Sequence, residues 1–203
     1  MIKYRLPYQG KVKISLPFGV SGSWSCGWHV GLDLVGLDSK IIYPIAAGTV
    51  KSINAHGASY GNHVTILHED GTESLYAHLS NISVKKGRFI APESLIGTEG
   101  ATGNASGSHL HLEIHRNGYL YPPKKSTPVS CTWVMNPAQM FGIENKKGVV
   151  VEMANNNQPS AWAKEAWQWA KDNKILDGTR PKDNITREEL AAVAWSLFIR
   201  LIR

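Results

Sequence analysis

The sequence of 203 residues has only 2 cysteines, Cys26 and Cys131, too few for a disulfide framework at this length, so two free thiols are expected. It has no apolar run long enough to span a bilayer, and no membrane insertion is expected. The opening residues, MIKYRLPYQGKVKISLPFG, place Lys3, Arg5, Lys11 and Lys13 among the apolar positions and so lack the continuous apolar segment of a secretory signal. Such a chain is expected to be made and kept in the cytosol until something else releases it. Like charges come only in short pairs such as Lys85-Lys86, Lys124-Lys125 and Lys146-Lys147. The net charge of +6 therefore reads as a solvated surface and not as a nucleic-acid-binding arm.

What is present suits a folded protein: 42% of residues are hydrophobic and 19% charged, and the length allows one well-buried domain with a small appendage. From about Lys11 to Ile114 the chain runs in short β-type segments, such as KIIYPIAAGTVKSI, NHVTILH and TESLYAHL, separated by Gly, Asn and Asp turns. That pattern predicts a mainly antiparallel β domain, with a hairpin at His68-Glu69-Asp70-Gly71. Pro122, Pro123 and Pro128 mark a loop over 117–133, after which Val134-Met135-Asn136-Pro137 returns the chain to the domain. The expected division is a β domain over 1–143, a linker over 144–159 and a small helical hairpin over 160–203. In the last segment Ser160 caps one helix, and Thr186 with Glu189 forms the capping box of a second.

All 8 histidines fall between His29 and His115. In an extended strand, residues two or four apart share a face, so His29 with Asp33, and His109 with His111, can each point into one site. Two imidazoles and one carboxylate suit zinc and leave a coordination position open, whereas structural zinc sites usually close with four protein groups. A zinc ion so held activates water at neutral pH, which is hydrolase chemistry. The sequence lacks H-E-x-x-H, so no glutamate is delivered beside the ligands as a general base, and histidine is left to move the protons. His109 and His78 are the candidates, and spacing alone does not separate His109 from His111 as the ligand. Glu113 continues the alternation and either orients a ligand or is a surface carboxylate. Asn62 either orders the floor of the site or makes a turn.

Four segments in order, His29-Val30-Gly31-Leu32-Asp33, Tyr60-Gly61-Asn62, Tyr76-Ala77-His78-Leu79 and Gly100 through Glu113, resemble lysostaphin-like zinc endopeptidases. The resemblance covers about residues 17–143. It implies His29, Asp33 and His111 as ligands of one zinc ion, with His78 and His109 as the catalytic pair. It also implies an open antiparallel sheet lining a groove that takes the peptides of peptidoglycan. Residues 160–203 resemble a single S-layer homology repeat, which implies binding of a secondary wall polymer, with Asp177 and Arg187 as candidates, or self-association through the Trp-rich faces. A wall hydrolase of this layout resembles a phage or prophage endolysin, acting on the wall after release. Two other readings compete: a non-catalytic wall-binding or regulatory protein of the same fold, and a structural zinc protein with Cys26 as fourth ligand.

Overall fold

The computed structural model describes residues 4–120, 122 and 124–153. Met1–Asn155 form one compact unit. The chain from 154 onward, with the helical hairpin, Asp177 and Arg187, lies outside the described residues.

Twelve strands build the first unit: β1 (Gly10–Leu16), β2 (Leu32–Gly36), β3 (Ile41–Ile42), β4 (Gly48–Ile53), β5 (Asn62–His68), β6 (Glu73–Leu79), β7 (Asn81–Ile82), β8 (Phe89–Ile90), β9 (Gly97–Thr98), β10 (Leu110–His115), β11 (Val134–Met135) and β12 (Val150–Met153). A short helix, α1, covers Pro137–Phe141. The main sheet runs β12-β1-β2-β10-β6-β5-β4-β8, with β11 also paired to β10, and a small sheet runs β3-β9-β7. Every pairing is antiparallel. The mainly β expectation holds, and helix is scarce among the described residues.

Period-two alternation explains the central strands. Leu110, Leu112 and Ile114 of β10 join Leu32 and Leu34 of β2 and Tyr76 of β6 in the main apolar core. The hairpin between β5 and β6 turns where Asp70-Gly71 predicts it, with Gly71 at φ +80° and its N–H donating to the His68 carbonyl. Residues 117–133 hold no strand or helix among those described, as the prolines foretell.

The linker expected over 144–159 is corrected in its first part. Val150–Met153 form β12 and pair with β1 in the register Lys13↔Val150, Val12↔Val151, Lys11↔Glu152 and Gly10↔Met153. The run Val149-Val150-Val151 is β-branched and favours a strand, a signal outweighed in the sequence by the neighbouring Lys and Asn residues. Among the described residues no helix is long and apolar enough to cross a membrane.

Candidate metal centre

Strand register brings the first two groups together. His111 of β10 lies directly opposite Asp33 of β2, with Leu110 opposite Leu34 and Leu112 opposite Leu32, so His111 and Asp33 share the face opposite the apolar core. His29 precedes β2 on a segment tied by its own N–H to the Val20 carbonyl and by its carbonyl to the Gly19 N–H. Gly31 leaves room for the arrangement, because a Cβ there would sit 2.6 Å from His111 Cε1. His29, Asp33 and His111 are all buried.

Their donor atoms converge. His29 Nε2 lies 3.0 Å and His111 Nδ1 2.8 Å from Asp33 Oδ1, and the two ring nitrogens are 3.1 Å apart. The outer nitrogens show why this geometry suits a cation. His29 Nδ1–H donates to the Pro17 carbonyl at 2.8 Å, and His111 Nε2–H donates to Glu113 Oε1 at 2.9 Å. With the protons held there, three lone pairs face one another. A metal ion relieves that repulsion, and within the described residues this trio is the one His/Cys/Asp/Glu group whose donors all lie within 4.8 Å. In the metal-free protein a proton does the same job. Burial works against a charged His111, but hydrogen bonds with Asp33 and Glu113 and their charge outweigh it and raise its pKa to about 10. Burial likewise opposes ionisation of Asp33, and hydrogen bonds from His111 and His29 overcome it, holding the carboxyl well below the usual range.

His78 reaches the site through an irregularity. Between the pairs Val64↔Tyr76 and Asn62↔Leu79, two steps along β5 match three along β6, so β6 carries one extra residue. Strict alternation from Tyr76 would send His78 to the apolar face. The bulge, with His78 in the left-handed region at φ +63°, turns it toward His109 and His111, at ring-centroid distances of 4.8 and 5.8 Å. Its Nδ1–H donates to the Thr102 carbonyl at 2.8 Å, leaving Nε2 as the basic nitrogen. Burial and the neighbouring His111 lower its pKa to about 4, so it is neutral at neutral pH. His109 is held in the same sense: its Nδ1–H donates to the Gly107 carbonyl at 2.8 Å, and its Nε2 lies 3.6 Å from Asp33 Oδ2.

Asn62 braces this arrangement at one remove. Its backbone N–H donates to Thr102 Oγ1 and its side chain to the Leu79 carbonyl, fixing the loop whose Thr102 carbonyl holds His78. Gly61 and Gly103 interlock beneath it with positive φ, where a Cβ on Gly103 would come within 2.3 Å of the Gly61 nitrogen. Glu113 is fully buried, which removes the surface reading, and it touches His111 directly.

Sequence reasoning assigned no role to Tyr60, whose hydroxyl donates to Glu113 Oε1 at 2.7 Å, or to Trp24, whose ring lies 5.2 Å from that of His29. A buried tyrosine is not distinguishable by spacing from one that packs a turn. Cys26 is elsewhere: it is buried with Trp28, Val30 and Cys131, and its thiol donates to the Trp28 carbonyl. Both cysteines are free, and the fourth-ligand reading has no support in this geometry. His56, His63, His68 and His115 stand outside the trio. Leu16, Trp24, Ser59, Asn104 and Ser106 join the trio, His78 and His109 around an open cleft of about 210 Å³.

Residues 27–123 match the profile of peptidase family M23. Over this stretch, a little under half of the chain, it is similar to M23 peptidases. Over 116 residues it is 36% identical to the DD-carboxypeptidase/endopeptidase Mpg of Neisseria meningitidis, a match covering 55% of this chain and 26% of that protein. Over 125 residues it is 32% identical to the murein hydrolase activator NlpD of Escherichia coli, covering 62% of this chain and 31% of that protein. The matched stretch spans roughly a quarter to a third of the length of these curated relatives. Its fold is that of the catalytic domain of lysostaphin from Staphylococcus simulans, with a TM-score of 0.53 at 22% identity over 68% of this chain and 92% of that one.

Proposed function

We propose that this protein is a zinc-dependent endopeptidase that cuts peptide bonds of peptidoglycan, with zinc held by His29 Nε2, Asp33 Oδ1 and His111 Nδ1. The observation that carries the reading is the convergence of His29 Nε2, Asp33 Oδ1 and His111 Nδ1, with the outer ring nitrogens hydrogen-bonded to the Pro17 carbonyl and Glu113, beside two further histidines that line the same cleft. Zinc bound to such a set supplies a Lewis acid that polarises a carbonyl and acidifies water.

The chain's own residues do the rest. His78 and His109 each spend Nδ1–H on a backbone carbonyl, so each keeps an unprotonated Nε2 and a fixed ring plane. One of them takes the proton of the attacking water at Nε2 and, as imidazolium, delivers it to the departing amine. The other, its ring 4.8 Å away, donates a hydrogen bond to the developing tetrahedral oxyanion once Nε2 has taken up a proton. Trp24 and Leu16 supply apolar wall to the cleft, and Ser59, Asn104 and Ser106 offer donors and acceptors to an extended peptide backbone.

A second reading is favoured by the likeness to NlpD, named as a murein hydrolase activator: the same cleft binds wall peptides without cutting them. One experiment separates the two. Purified walls are incubated with the protein with and without a chelator, and new amino ends are identified by mass spectrometry. Chelator-sensitive release of peptide amino ends is the expected result. Wall binding with no new ends, or cleavage that persists in chelator, contradicts the proposal.

A further inference from the structure

Behind His111, on the same face of β10, a second buried histidine grips the carboxylate that grips the first. His115 is 0% exposed, and its Nε2–H donates to Glu113 Oε2 at 2.6 Å. The other oxygen, Oε1, takes the His111 Nε2–H at 2.9 Å and the Tyr60 hydroxyl at 2.7 Å. Glu113 therefore has both oxygens engaged by three donors from two separate segments, and its plane is fixed. The clamp extends outward: Tyr60 Oη accepts from the Tyr119 hydroxyl at 2.9 Å, and the Tyr119 backbone N–H donates to Glu73 Oε2, which also pairs with Lys51 Nζ at 2.7 Å.

The remaining nitrogen of His115 is the informative atom. Nδ1 is buried and has no hydrogen-bond partner, while the ring packs 4.6 Å from that of Tyr119. A buried polar atom left unpaired is unfavourable, and an aromatic hydrocarbon would fill the same space without it. Packing alone does not explain a histidine here. Its single directed contact is the Nε2–H bond to Glu113.

We propose that His115 and Tyr60 are positioning residues for the metal centre. By clamping Glu113 they fix the acceptor of the His111 Nε2–H, and with it the ring plane that aims Nδ1 at Asp33 and His29. Without the clamp, Glu113 is free to turn, the His111 ring loses its orientation, and the donor set is less well aimed at a metal. This inference rests on the reading of His29, Asp33 and His111 as metal ligands.

The test compares the full chain with His115→Phe, which keeps the ring and removes the N–H, and with His115→Gln, whose side-chain amide restores a donor near Nε2. Zinc affinity is measured by competition with a chromophoric chelator, and the melting temperature of the metal-stripped protein is recorded alongside. The expected result is zinc binding weaker by about 10–100-fold in His115→Phe and recovered to within about threefold of wild type in His115→Gln. The stripped His115→Phe protein leaves the buried Glu113 Oε2 without its donor and is expected to melt below wild type, so zinc affinity is compared per folded chain. Wild-type affinity in His115→Phe, or equal losses in Phe and Gln, overturns the proposal. If His115→Phe fails to fold, Tyr60→Phe reads the same clamp from the other oxygen, with about tenfold weaker zinc expected and unchanged affinity contradicting it. A wild-type chain that binds no zinc at all overturns the metal reading itself, which sets that failure apart from a failure of the clamp.

Discussion

The two faces of β10 are both buried, and they are buried for different reasons. Leu110, Leu112 and Ile114 enter the main core, where exclusion of water is sufficient and direction matters little. His111, Glu113 and His115 alternate with them and are 7% exposed or less, yet each is placed by directed bonds. On the first face burial adds stability. On the second it raises the cost of every unpaired atom, so the side chains settle into one arrangement, with the donors pre-aimed at a shared point.

Changes to the two faces should therefore fail in different ways. The largest effect is expected from His111→Ala, which should lose bound zinc and drop peptide cleavage to the level of a chelator-treated sample, as read by metal content and amino-end release. Next, His78→Ala and His109→Ala should keep one zinc per chain while cleavage falls by about 10²–10⁴-fold. Zinc loss in His109→Ala equal to that in His111→Ala would dissolve the distinction between ligand and proton carrier. Leu112→Ala, on the other face, should cost about 2–5 kcal/mol of stability by chemical denaturation and leave zinc per folded chain unchanged.

The smallest effect is a matter of sign. In the stripped protein the His111 pKa is raised to about 10, so its contribution is fully present below the ordinary histidine value of about 6.5 and is lost as pH rises through about 10. Asp33, with its pKa depressed, contributes above the ordinary carboxylate range and loses that contribution as pH falls. Zinc needs the unprotonated rings, so its stabilisation grows with pH. Melting temperatures between about pH 6.5 and about pH 9 should fall in the stripped protein, and the gap to the zinc-loaded protein should widen. A gap that narrows as pH rises would contradict this.

Much of this was legible in the sequence because β-strands have a fixed period. His111 with Glu113 follows from parity, and the antiparallel domain follows from short alternating runs between turns, whereas His29 lies before β2 and meets Asp33 through a segment tied to Gly19 and Val20. His78 did not follow from parity at all: the bulge in β6 breaks the period at that residue, and only the motif around it marked it out. The role of Glu113 stayed open because alternation separates faces without saying whether both are covered. Tyr60 was opaque for a related reason, since its partner lies 53 residues away and no local pattern encodes that contact. The extra strand β12 was hidden by the polar residues flanking a short β-branched run.

The central claim is the identity of the donors, and X-ray absorption at the zinc edge of the metal-loaded protein tests it most directly. The account predicts two imidazole nitrogens at about 2.0–2.1 Å, light oxygen ligands completing the shell and no sulfur. A zinc–sulfur distance of about 2.3 Å, which would bring Cys26 into the shell, or a shell of oxygen alone, would contradict it.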